Sequence, residues 1–172
     1  MIQKYYKIVS QNTYLRRLYD LQSSLYIPNG TKITATAPFT DVYDSDNSKN
    51  GQFYINKPVM HFCDNAFDTM LWYNVFYRMA MNKHQQIAPV VYEIKPITNV
   101  IKERCGDKNN IYQCGAHIIE FKAPVVVDNM LRRAVLEFLK EPENKFEMYP
   151  NLEIGKIINA WANYKQPTRL AY

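Results

Sequence analysis

The chain has 172 residues, within the ~100–200 that one domain usually occupies, and its 47% hydrophobic and 22% charged residues exclude a disordered tail, a collagen-like rod or a charged linker. Lysine and arginine number 21 against 16 acidic residues, a formal charge of +5 that draws polyanions weakly without specifying one. We expect a single globular α+β domain over residues 1–165 with a loose tail over 166–172. Its sheet is mixed and mainly antiparallel, with one buried helix and flanking amphipathic helices. No apolar run reaches the ~18–20 residues of a membrane span, and Met1-Ile2-Gln3-Lys4-Tyr5-Tyr6 lacks a signal-peptide core, so no membrane partner and a cytoplasmic location are expected.

In chain order, Tyr5 to Val9 alternates as a first strand, and Ser10 to Asn12 supplies capping side chains for a helix to about Leu25. Pro28-Asn29-Gly30 stops it, and Lys32 to Ala37 alternates again. Thr40 to Asn50 is polar and turn-rich, which suits a lid. Val59-Met60-His61-Phe62-Cys63 reads as a buried strand running into Asp64-Asn65, side chains suited to start a helix by accepting backbone hydrogen bonds. That helix, from about Asn65 to Asn82, is apolar around nearly its whole circumference and is the expected spine of the core.

Val90 to Lys95 is a strong strand signal closed by Pro96, and Ala116 to Lys122 is the next, followed by Val125-Val126-Val127. Both main runs alternate an acid and a lysine with apolar residues, as paired strands with one polar face would. Residues 104–115 read as a loop. Leu131, Ala134, Val135, Phe138 and Leu139 make one apolar helix face, begun by Asp128 and ended before Pro142. Ile154, Ile157, Ile158 and Trp161 make another after Pro150-Asn151.

Three cysteines, Cys63, Cys105 and Cys114, cannot all pair within one chain, so reduced thiols are expected. Their spacing with His61 and His117 is poor for zinc, and no metal is expected. Five glycines form no phosphate-cradling series and no serine sits in a glycine-flanked elbow, which disfavours P-loop, dinucleotide-fold and triad-hydrolase readings. His61, Cys63 and Asp64 form the tightest polar cluster, at a strand-to-helix junction where an anion such as phosphate can bind. Glu93 and Glu120 are carboxylates on strands, each followed two positions later by a lysine, as on a solvated sheet face. Fourteen tyrosines and eight phenylalanines suit core and rim positions, or a binding surface.

Tyr5-Tyr6-Lys7-Ile8-Val9, Val59-Met60-His61-Phe62-Cys63-Asp64-Asn65-Ala66 and Val90-Val91-Tyr92-Glu93-Ile94-Lys95-Pro96 occur in an order that resembles a small ADP-ribosyltransferase domain of the rifampin-modifying kind. The resemblance covers about the first two-thirds of the chain. It departs from the family at Lys7, where a histidine or arginine is usual, and at Phe62, where a tyrosine is usual. It implies NAD as cofactor, with Tyr6, Lys7, Phe62 and Tyr92 binding it and with His61 and Glu120 as catalytic residues, Glu120 (or Asp128) stabilising the departing sugar cation. The segment around His61-Phe62-Cys63 also resembles short phage and mobile-element proteins. That implies a host-interaction role, with a host protein as partner. The alternative function is a non-catalytic protein that grips a protein or nucleic acid through a basic, tyrosine-rich surface.

Overall fold

The structure is a computed structural model and describes residues 2–10, 26–35, 59–71, 89–104, 112–141 and 154–165. Seven strands and three helices cover this set: β1 (Tyr5–Ser10), β2 (Lys32–Thr34), β3 (Met60–Phe62), α1 (Ala66–Leu71), β4 (Pro89–Pro96), β5 (Ile101–Arg104), β6 (Tyr112–Ala116), β7 (Ile118–Pro124), α2 (Asn129–Lys140) and α3 (Ile154–Ala162). The protein is α+β, as expected. The strands divide into two sheets, ordered β1-β4-β7-β2 and β3-β6-β5, and every pairing among the described residues is antiparallel. The expected first helix, the lid over residues 40–50, the expected core helix beyond Leu71, Cys105 and the tail lie outside the described residues.

The sheets meet at one corner. Just past the end of β3, Cys63 forms a bridge to Tyr6 of β1, with Tyr6 N donating to Cys63 O (2.8 Å) and Cys63 N to Tyr6 O (2.9 Å). Side chains alternate along each strand, so β1 and β4 feed two separate cores. One lies between the sheets and holds Val9, Val90, Tyr92, Ile94, Ile119 and Phe121 with Met60, Phe62 and Cys114 from the other sheet. The second lies under the helices, where Ile8 and Val91 meet Met70, Leu71, Val135, Leu139, Ile157 and Trp161. Each fully buried aliphatic or aromatic side chain here contributes roughly 1.5–3 kcal/mol over leaving it in water.

Within the four-stranded sheet, β1 and the first half of β4 carry buried residues on both faces, while Lys95 near the end of β4 is exposed. In β2 and β7 burial alternates, with Ile33, Ile119 and Phe121 inward and Lys32, Thr34, Glu120 and Lys122 outward. This is the half-solvated pattern that the acid-lysine alternation implied, and β4 and β7 do pair, with Lys95 opposite Glu120. The register slips between Tyr92 and Ile94, a bulge that lets both faces stay filled as the sheet bends. Gly30, with φ of 95°, makes the turn before β2 and donates to Phe121 O (2.8 Å), a backbone conformation that a side chain would strain.

Besides β5, which the sequence did not mark as a strand, sequence and structure differ at four places in the fold. Residues 112–116, read as loop, form β6, and its hairpin with β5 supplies most of the second sheet. The run expected over Ala116 to Lys122 breaks at His117, whose backbone N–H is held by Thr98 Oγ1 (2.9 Å), so β6 and β7 belong to different sheets. Val125-Val126-Val127 follows β7 without forming a strand. In α2 the cap is Asp128, accepting from Leu131 N (2.8 Å). Ala134 is exposed, while Leu136 packs on the helix-side core.

Candidate functional site

Tyr6 and Lys7 are neighbours on a strand and therefore face opposite ways. Lys7 stands opposite Tyr92 and is buried at 1% exposure, its Nζ donating to His61 O (2.5 Å). Phe62 packs edge-on against Tyr5 at 5.3 Å between ring centres. Tyr92 packs edge-on against Phe121 at 5.3 Å and Tyr26 at 6.3 Å. The Tyr92 hydroxyl accepts from Ile27 N (2.9 Å). Lys7, His61, Phe62 and Tyr92 are thus all buried, and protein side chains take the positions around the rings that a cofactor would need. The expected common crevice for Tyr6, Lys7, Phe62 and Tyr92 does not form from these side chains. Alternation along β1 turns Tyr6 away, and apolar burial seals the rest.

Tyr6 is half-buried on the helix side and lines a shallow cleft of about 390 Å³ with Lys4, Asp64 and Asn65. Two of the donors there, the Asn65 amide and the Asp68 backbone N–H, are already engaged. Asn65 Oδ1 accepts from Asp68 N (2.7 Å), and its amide donates to Asp64 Oδ1 and Asp68 Oδ2 (3.0 Å each). Asp64 also accepts from Lys102 Nζ (2.6 Å). The junction is a helix start capped by Asn65, with Lys102 paired to Asp64.

Cys63 belongs to the helix-side core and Cys114 to the inter-sheet core, so the thiols do not converge, and no group of metal-ligating residues occurs among the described residues. Burial, with a further push from the Asp64 carboxylate, raises the Cys114 thiol to about 12. At pH 8 its thiolate fraction is then about three orders of magnitude below that of an ordinary cysteine. We expect iodoacetamide at pH 8 to leave Cys63 and Cys114 unmodified in the folded protein and to alkylate both in urea. Rapid native labelling of Cys114, read by peptide mass, would contradict this packing.

Glu120 lies apart from His61, on the open face of the four-stranded sheet. It stands opposite Lys32 of β2 and Lys95 of β4, and Lys122 Nζ donates to its carboxylate. The Lys122 hydrogen bond, then the charges of Lys122, Lys32 and Lys95, hold its carboxyl below the usual range against a smaller opposing effect of burial. Lys32 and Lys95 are exposed and have no ion-pair partner among the described residues, whereas Lys4 pairs with Glu93 at 3.5 Å on the same side of the sheet. The alternating charges of β4 and β7 were legible in the sequence. Their convergence with Lys32 was not, because register across three strands is a tertiary property. Tyr26, Tyr92 and Tyr164 are buried, and eight of the fourteen tyrosines lie outside the described residues. No helix among the described residues is long and apolar enough to cross a membrane. No family model, curated protein or solved structure matches the chain.

Proposed function

We propose that the chain is a non-catalytic binding protein that holds an anionic partner against the open face of its four-stranded sheet. The observation that carries this reading is the cross-strand row Lys95–Glu120–Lys32, with Lys122 bonded to the one carboxylate within it. Three ammonium groups surround a single acid, so the patch keeps a net positive charge. The ammonium groups around Glu120 would repel a developing sugar cation beside it, which favours binding over catalysis at Glu120. The test is retention on immobilised heparin. The wild-type chain is retained, and the double charge reversal Lys32→Glu, Lys95→Glu lowers affinity at least ~10-fold by removing two exposed cations and adding two anions. Equal retention of both proteins would overturn the reading.

One observation favours the nucleotide reading, in which the chain is an ADP-ribosyltransferase-like domain that binds NAD. β1 and the end of β3 are paired through Tyr6 and Cys63, and the Tyr6 cleft has the ~300–1,000 Å³ size of small-molecule sites. On that reading Tyr6 is the contact residue that remains accessible. Calorimetric titration with NAD would give heat that Tyr6→Ala abolishes, together with nicotinamide release. Neither heat nor release from the wild-type chain would leave anion binding alone.

A further inference from the structure

We infer that the anionic partner is the phosphate backbone of a nucleic-acid duplex, engaged without sequence preference; this rests on the anion-binding reading of the same face. Strands in a sheet lie ~4.8 Å apart, so the backbones at Lys95 and Lys32, one on each side of Glu120, are separated by about 9.5 Å. Lys122 lies two residues along the strand from Glu120, on the same side. The cations therefore form a small, nearly flat array on rigid backbone, at a spacing that lets flexible lysine side chains reach neighbouring phosphates.

The side chains that the described strands present on this face favour a duplex over an unpaired strand. Proteins that hold unpaired strands stack successive bases on aromatic rings. Among the described residues, no aromatic ring shares the row of Lys32, Lys95, Lys122 and Glu120 on their strands. Tyr6, on the same side of the sheet, packs against the helix-side core instead. Bases exposed in a single strand would find no platform among these described residues, whereas a duplex presents its charged backbone to a surface of this kind. Lysines meet phosphates as point charges, without the bidentate base contacts that carry sequence information.

Glu120 sets the sign of the decisive test. In the duplex reading its carboxylate repels phosphate and occupies Lys122, so Glu120→Gln strengthens binding. A catalytic Glu120 would instead make the same change a loss of activity. The probe is a mixed-sequence 30-base-pair DNA duplex, followed by fluorescence anisotropy between 50 and 200 mM salt. Two to three phosphate contacts give a log–log salt slope of about −1.8 to −2.7, a roughly 10- to 40-fold loss of affinity over that range. Glu120→Gln should tighten binding about 2- to 5-fold and steepen the slope by up to about 0.9. Lys32→Glu combined with Lys95→Glu should weaken it at least ~10-fold. All three positions are on the solvent side of the sheet, and the opposite signs of the two variants separate an electrostatic effect from misfolding.

Three results would overturn the inference: a single-stranded oligonucleotide of the same length bound more tightly than the duplex, no gain with Glu120→Gln, or a salt slope near zero. Polyglutamate separates the two levels of the argument. If it binds with the same lysine dependence while the duplex does not, the duplex assignment fails and anion binding stands. If neither binds, both fall.

Discussion

Trp161→Ala will destabilise the protein by about 3–5 kcal/mol, the range for deleting a fully buried large aromatic side chain. Trp161 has no exposed surface and lies 5.0 Å from the Tyr164 ring. Its Nε1 donates to Met70 O (3.0 Å), which ties α3 to the end of α1. The helix-side core would lose its largest side chain, and the Met70 carbonyl would lose a buried donor. Trp161→Phe keeps most of the packing and isolates the hydrogen bond and the missing ring, with an expected cost of about 1–3 kcal/mol. Urea unfolding followed by far-ultraviolet circular dichroism measures both. A loss below ~1 kcal/mol for Trp161→Ala would mean that α3 does not dock as described. Since small domains are stable by only ~5–15 kcal/mol, the alanine variant should be visibly less tolerant of heat.

Tyr92→Ala is expected to cost a similar ~3–5 kcal/mol, for a different reason. Tyr92 is the centre of an edge-to-face aromatic cluster with Tyr26 and Phe121, and its hydroxyl accepts the Ile27 N–H. Tyr92→Phe keeps the ring and leaves that buried N–H without its acceptor, a penalty of about 1–3 kcal/mol. The pair of variants also tests the role implied by the family resemblance. A cofactor-stacking tyrosine lies in a cleft, and its loss lowers ligand affinity while stability barely changes. A core tyrosine behaves the other way. Unchanged unfolding midpoints for both variants would return Tyr92 to the cofactor role.

Much of the fold was legible residue by residue. Period-two alternation located β1, β3, β4 and β7, and the apolar faces of α2 and α3 were read from period-3.6 spacing, with Asp128 marking the start of α2. Local chemistry suffices for these because burial on one face leaves a periodic trace. β6 was missed because Tyr112-Gln113-Cys114-Gly115-Ala116 carries small and polar residues whose strand state depends on pairing with β3 and β5. The candidate site was less legible. Lys7 looked like a ligand-facing cation by position, yet its long side chain is buried and its amine reaches the His61 carbonyl.

Sequence alone determined the α+β class, the net positive charge and the start of α2, because each follows from composition or from spacing within one element. Only the tertiary structure decided which residues share a surface. It split the strands into two sheets joined at Tyr6 and Cys63, buried Phe62, Tyr92 and Phe121 between them, and aligned Lys95, Glu120 and Lys32 in one row. Strand order and register arise from contacts between residues far apart in the chain, and a one-residue slip would turn every one of those side chains to the other face.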